Sequence, residues 1–469
     1  MRYISTRGQA PVLGFEDTLL AGLARDGGLY LPESYPTLSA DEIRAMRGLP
    51  YEEVAFRVMW PFLGGAFGEG AFRGLIGSAY ASFRHPARCP LVQTGPNDWI
   101  LELHHGPTLA FKDFAMQLVA QMFEAVLEDR GSRTMIVCAT SGDTGSAAME
   151  AFRGLERVRV VVLYPHGRVS EVQRRQMTTP TEGNVHAFAV DGTFDDCQAL
   201  VKAMFNDHGF RDEMHLGAVN SINWGRVLAQ VVYYFAAAAA LGAPDRVVDF
   251  SVPTGNFGDI LAGDVARRMG LPVGRLVIAT NENDILHRTL AEGIGAPEPV
   301  VPTIAPSMDI QVSSNFERLL FELYGRDGDA VAKAMADQKA GRALTLPQGA
   351  LDELRRGFAS DRASRAETIA VIRRLREETG LVIDPHTAIG VKAAETCRRD
   401  AATPMITLGT AHAAKFPEAV EEGAGVHPAL PPHMADLFER EERITRAPND
   451  LQTVETMIRD RCGMVGAGA

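Results

Sequence analysis

The sequence predicts an α/β protein of doubly wound, mostly parallel sheets, with a helical N-terminal lobe and a helical insertion. The first observation is a set of short continuous apolar runs at Met135–Ala139, Val158–Leu163, Val185–Val190, Val247–Val252, Leu276–Ala279 and Met405–Leu408. The second is that each run gives way to Gly, Ser, Thr or Asp and then to a helical pattern. Strands buried on both faces and joined by helical crossovers require that texture. The third is its absence from residues 1 to about 95 and from about 310 to 375, which read mostly as helices.

In chain order, Tyr3 and Ile4 form a short strand that leads through Ser5-Thr6-Arg7-Gly8 to a helix over Phe15–Leu23. Asp26-Gly27-Gly28 makes a turn, Leu29-Tyr30-Leu31 a brief strand before Pro32, and helices come next at Ala40–Met46, Tyr51–Phe62 and Gly70–Phe83. This lobe, 1–95, carries no chemical constellation of its own. Residues 96–215 form a smaller α/β domain and 216–469 a larger one. Within the latter, the Pro-rich connection from Pro297 to Gln311 reads as loop, and Asn315 to Arg374 as several charged amphipathic helices with no strand signal.

Composition is that of an ordinary soluble globular protein, with 46% apolar and 23% charged residues. A formal net charge of −12 argues against a general nucleic-acid or anionic-membrane partner, while leaving room for a small anionic substrate held by a few local cations. The five cysteines (Cys89, Cys138, Cys197, Cys397, Cys462) are scattered, with no CxxC pair, which points to reduced thiols in the cytoplasm and no metal site. The N-terminus has no secretory signal pattern, and no apolar run reaches the roughly 18–20 residues that a membrane span needs.

Chemistry concentrates in a few stretches. His105 to Ala115 reads HGPTLAFKDFA: a Gly-Pro turn, then Phe111, Lys112 and Asp113 at the mouth of a helix whose apolar stripe runs through Ala115, Leu118, Val119, Met122, Phe123 and Val126. A lysine beside apolar neighbours loses some of its ammonium stability and gains nucleophilicity toward an aldehyde. By itself the position equally suits a solvated lysine at a helix start. PTGNFGD, Pro253 to Asp259, places Gly255 and Gly258 between a strand and a helix expected from about Ile260. Its backbone N–H groups, at a positive dipole end, suit a phosphate, and no Walker lysine comes after them. TSGDTG, Thr140 to Gly145, repeats that arrangement before a helix expected near Ser146, and suits a carboxylate or a plain N-cap. GTAHAAKFPEA, Gly409 to Ala419, succeeds the last apolar run.

HGPTLAFKD resembles the cofactor-lysine signature of threonine synthases, fold-type II enzymes that use pyridoxal phosphate (the tryptophan synthase β-like fold). MRYISTRG, TSGDTG, PTGNFGD and GTAHAAKFPEA resemble the longer bacterial and fungal branch of that family, in the same order along nearly the whole chain. The resemblance implies that Lys112 carries the cofactor and that the backbone of Gly255, Asn256, Phe257 and Gly258 holds its phosphate. It implies that Thr410 offers a hydroxyl to the pyridine nitrogen, and that Thr140, Ser141 and Thr144 hold the substrate's α-carboxylate. Many related enzymes have asparagine where Asp143 stands, against the ring's phenolic oxygen; an aspartate there either shares a proton with that oxygen or points elsewhere. His386, in DPHTAIG, and Lys415 are candidates for the same cleft. Ser314, Asn315 and Arg318, in SSNFERLL, are candidates for the substrate phosphate. For the histidine a cap, and for the SSNFERLL residues a solvated first turn, stand as plain alternatives.

The activity implied is conversion of O-phospho-L-homoserine and water to L-threonine and phosphate. Lys112 would take the Cα proton and later return it, and water would add at Cβ after phosphate leaves Cγ. A lyase of the same fold would release a 2-oxo acid instead, and a non-catalytic nucleotide-binding protein would have no use for Lys112. The expected assembly is a monomer or homodimer.

Overall fold

A computed structural model describes residues 1–463 of the chain. Chain contacts divide it into two compact units: Met1–Ala115 with Ser221–Pro428, and Met116–Asn220 with the chain from Ala429 onward.

The first unit is built on a six-stranded sheet in the order Phe358–Arg362, Val273–Thr280, Val248–Pro253, Met405–Gly409, Asp98–Glu102, Leu91–Gly95. Neighbours are parallel except for the last pair, a hairpin in which Leu91 faces Leu101. Val248–Pro253 is buried throughout, including Asp249, which pairs with Arg399, and Ser251, which donates to the Gly390 carbonyl. Helices Pro385–Cys397 and Gly258–Arg268 pack on the central strands. The first approaches closely because Gly390 has no side chain: a Cβ there would stand 2.8 Å from Thr407 and 3.2 Å from Pro253.

The N-terminal lobe belongs to this unit. Tyr3–Ser5 pairs antiparallel with Tyr30–Pro32, and the Tyr3 hydroxyl donates to the Phe62 carbonyl at 2.8 Å. That bond ties the strand to helix Tyr51–Leu63, which packs on helix Trp224–Ala240. The latter is almost entirely buried and starts from an Asn223 cap whose side chain accepts from the Gly225 amide.

The second unit carries a five-stranded parallel sheet in the order Thr445–Ala447, Val185–Val190, Val158–Pro165, Thr134–Ala139, Leu216–Gly217. Its core joins Met135, Val137, Val161, Leu163, Phe188 and Val190 to residues of helices Phe194–Asn206 and Leu451–Cys462.

Three sequence expectations differ from this. The units are not the three contiguous segments 1–95, 96–215 and 216–469: Asp98–Glu102 hydrogen-bonds beside Met405–Gly409, which draws the 91–115 stretch into the first unit, and the C-terminal strand and helix complete the second. The stretch 315–374 is not purely helical, because Phe358–Arg362 is the edge strand of the larger sheet. The helix after TSGDTG spans Asp143–Phe152 and so begins three residues earlier than Ser146. Among the described residues no helix is long and apolar enough to cross a membrane, and no disulfide joins any of the five cysteines.

Candidate active site

Lys112 opens helix Lys112–Asp129, with 9% of its surface exposed and its amine 4.8 Å from the centre of the Phe111 ring. The chain leading to it is fastened to a stretch some three hundred residues away. The Leu103 amide donates to the Gly409 carbonyl (2.9 Å), Phe111 to Thr410 (2.8 Å), and His412 to Leu109 (3.0 Å). Lys112 therefore comes directly after a residue bonded to the backbone of Thr410, itself buried. Leu109 adopts a left-handed φ of 65°, a conformation that a surrounding network must hold. That network centres on Asp113, whose carboxylate accepts from the Thr108 amide (2.8 Å) and hydroxyl (2.6 Å). Burial raises the Asp113 pKa to about 6, against the opposing pull of the Thr108 bonds and the Lys415 charge. Lys415 is fully buried and donates to the Thr108 carbonyl at 2.8 Å. Its ammonium thus helps to build the turn before Lys112.

The loop after strand Val248–Pro253 lies in the same unit. Phe257 caps helix Gly258–Arg268 in the left-handed region (φ 62°). The loop's carbonyls are taken up: Gly255 accepts from the Ser313 hydroxyl at 2.7 Å, and Asn256 from the Asn315 backbone and side-chain amides, each at 3.0 Å. The amides of Gly255, Asn256 and Phe257 donate to no acceptor among the described residues. At Gly255 a Cβ would stand 2.6 Å from the Ser307 carbonyl, so the close approach of the 305–308 turn requires glycine.

Those bonds reassign most of SSNFERLL. Asn315 also reaches the Ser221 carbonyl at 3.0 Å, and its oxygen receives Arg318. The remaining guanidinium donors of Arg318 go to the carbonyls of Tyr30 (2.9 and 2.7 Å) and Ile222 (2.6 Å) in a site 1% exposed. Asn315 and Arg318 therefore brace the loop, with their donors given to backbone carbonyls and to each other. Ser314 stays at the surface of the loop, with its hydroxyl 3.4 Å from the Asn256 side chain. At His386, Nδ1 bonds Asp384 at 2.7 Å and Nε2 accepts the Ser307 amide at 3.3 Å, so both ring nitrogens are engaged.

Sequence reading missed a second layer. Thr6 and Arg7 hold Glu317 through bonds of 2.6 Å from the hydroxyl and two of 3.0 Å from the guanidinium, fixing helix Phe316–Leu323 from the N-terminal lobe. Asp259, the end of PTGNFGD, is buried under the loop and receives the Tyr233 hydroxyl at 2.5 Å and that of Tyr234 at 3.0 Å. Burial raises its pKa to about 6, opposed by the two tyrosine bonds and by the positive charge of Lys112. Lys112, Thr410 and the 255–258 loop are thus gathered in one unit.

The 140–145 loop belongs to the second unit. The Thr140 hydroxyl accepts the amides of Gly142 and Gly145, both at 2.9 Å, which closes the loop over the start of helix Asp143–Phe152. Ser141 and Thr144 are half-buried on it. Asp143 is buried and one of its oxygens accepts from the Gln173 amide at 2.9 Å.

A buried lysine amine and a glycine-bearing loop at a helix start share one unit of an α/β frame, and the class is defined by a match: residues 89–346 fit the family model of pyridoxal-phosphate dependent enzymes. Residues 2–80 match the threonine synthase N terminus and 387–458 the threonine synthase C-terminal model. The chain is 56% identical to a threonine synthase of Pseudomonas aeruginosa, over 98% of each chain. It superposes on a crystal structure of pyridoxal-phosphate-bound threonine synthase from Brucella melitensis with a TM-score of 0.96 (55% identity, 99% of this chain and 100% of that one). The yeast threonine synthase structure gives a TM-score of 0.93 at 38% identity, covering 98% of both chains. The chain belongs to the threonine synthase family, whose cofactor is pyridoxal phosphate. The residues present fit that group: Lys112 would supply a buried amine for its aldehyde carbon, and the amides of Gly255, Asn256 and Phe257 would supply donors for its phosphate.

Proposed function

We propose that this chain converts O-phospho-L-homoserine and water to L-threonine and phosphate, with Lys112 as the working acid and base. The observation that carries the reading is the placement of Lys112, whose preceding residue is bonded at 2.8 Å to the backbone of Thr410 and whose charge is felt by Asp259 at the end of the anion loop. Bound pyridoxal phosphate supplies an electron sink for charge developed next to the substrate nitrogen. Gly255, Asn256, Phe257 and Gly258 hold its phosphate, and Thr410 offers a hydroxyl to its ring nitrogen. A neutral donor there leaves that nitrogen less protonated than a carboxylate would.

Lys112 removes the proton from substrate Cα and returns one there at the end, a role that needs an amine able to titrate near the working pH. Its low exposure keeps bulk water from exchanging that proton. Thr140, Ser141 and Thr144 hold the α-carboxylate by their hydroxyls and by the amides at the start of helix Asp143–Phe152. Asp143 is turned by Gln173, which favours a supporting role in that loop over a bond to the cofactor ring. Ser314 remains a candidate for the substrate phosphate. The chain works in the cytoplasm, as a monomer or homodimer, a setting consistent with five cysteines that form no disulfide.

Incubation of the purified holoenzyme with O-phospho-L-homoserine tests the reading. Threonine and phosphate should appear in equal amounts, and Lys112→Ala should form neither. A 2-oxo acid in place of threonine would make the protein a lyase and overturn it.

A further inference from the structure

Outside the residues given a role above, Glu102, His104 and His105 bring one carboxylate oxygen and two imidazole nitrogens within 4.8 Å of one another. Their spacing reflects the strand. Glu102 ends Asp98–Glu102 and His104 comes two residues later, so in extended backbone both project to one side. The turn is pinned by the Leu103 amide on Gly409 (2.9 Å) and by the His105 carbonyl, which accepts the Arg84 amide at 2.9 Å. His105 Nε2 lies 2.7 Å from Glu102, and both side chains are about a quarter exposed. His104 Nδ1 is buried and has no hydrogen-bond partner. The ring of His412 lies 5.3 Å from that of His104, and its Nδ1 accepts the Ala414 amide at 3.1 Å.

We propose that Glu102, His104 and His105 form a binding site for a borderline divalent cation of the Zn²⁺ type. Two imidazoles and one carboxylate suit such an ion better than Mg²⁺ or Ca²⁺, which take oxygen ligands, and three protein ligands leave one position open. Tetrahedral Zn²⁺ sets its ligand atoms about 3.3 Å apart, which small rotations of the partly exposed Glu102 and His105 achieve. The bond between His105 and Glu102 is then exchanged for two bonds to the metal, and any proton they share is released.

Calorimetric titration of the holoenzyme with Zn²⁺ in a non-chelating buffer tests the site, with diethyl pyrocarbonate labelling of His105 as a second readout on the wild type. One equivalent of Zn²⁺ should bind. Glu102→Gln and His105→Ala should each weaken it by at least about tenfold, His427→Ala at an exposed position should leave it unchanged, and saturating Zn²⁺ should protect His105 from the label. Absence of saturable binding, equal affinity in both site variants, or labelling of His105 at the same rate with and without Zn²⁺ would overturn the proposal.

Discussion

The side-chain amide of Asn315 donates to the backbone carbonyl of Asn256 at 3.0 Å, and the Asn315 backbone amide donates to the same oxygen at the same distance. One residue thereby fixes the peptide plane in the middle of the 255–258 loop. Asn315→Ala removes the side-chain bonds to Asn256 and Ser221 and leaves the Arg318 guanidinium short of an acceptor. The buried groups left unpaired should cost about 2–3 kcal/mol in unfolding free energy. The loop amides lose their common aim as well, so the variant should release pyridoxal phosphate on gel filtration under conditions where the wild type retains it. A shift in thermal midpoint with cofactor retention unchanged would assign Asn315 to stability alone.

Lys415 and Asp113 oppose each other in charge across the turn that precedes Lys112. Lys415→Met keeps the bulk of the side chain, removes the donor to Thr108, and leaves the Asp113 carboxyl buried without its compensating cation. Breaking such an arrangement from one side costs about 3–5 kcal/mol. Chemical denaturation at pH 7 should show that loss, and it should shrink at lower pH, where Asp113 is protonated and has no charge to compensate. A loss independent of pH would place the effect in packing.

The two buried carboxyls predict a pH dependence of stability. Asp113 and Asp259 both have pKa values raised by burial from 3.8 to about 6. Between those values the folded chain binds more protons than the unfolded chain, so unfolding free energy falls as pH rises. Their stabilising contribution is complete below about pH 4 and is lost through about pH 6. Asp259→Asn keeps an acceptor for Tyr233 while removing the titration, so urea midpoints measured from about pH 4 to 7 should fall less steeply in the variant. An unchanged slope would show that Asp259 does not titrate in this window.

The interior strands were legible because a strand covered on both faces is mostly apolar, as Thr134–Ala139 and Val158–Pro165 are, with Thr134 and Arg159 near their starts. Phe358–Arg362 was not, because an edge strand tolerates FASDR, whose polar residues carry no periodic signal. The site divides in the same way. Lys112 and the PTGNFGD loop announce themselves locally, by residue type next to a helix start. The roles of Arg318, His386 and Lys415 depend on carbonyls and carboxylates brought up by other segments: Tyr30 lies 288 residues from Arg318, and Thr108 lies 307 from Lys415. A cation in a sequence looks the same whether it meets a phosphate or a carbonyl. Thr6 and Arg7 were overlooked for that reason, their partner Glu317 lying more than three hundred residues on.

Gly142, in the loop of the second unit, has a φ of 136°, and a Cβ there would stand 2.3–2.6 Å from the side-chain amide of Gln173. That amide is the group that holds Asp143. Gly142→Ala therefore meets two penalties, a backbone conformation that side chains rarely adopt and a clash with a buried neighbour, together about 2–4 kcal/mol. Adding Gln173→Ala relieves the clash and leaves the backbone penalty. If the Gln173 contact matters as described, the double variant should recover a measurable part of the stability lost by Gly142→Ala, giving a coupling of about 1 kcal/mol or more in a double-mutant cycle. The substrate KM should stay raised in the double variant, because Asp143 has then lost the donor that orients it beside Ser141 and Thr144. Simple additivity of the two substitutions would show that Gly142 is needed for its backbone angle alone.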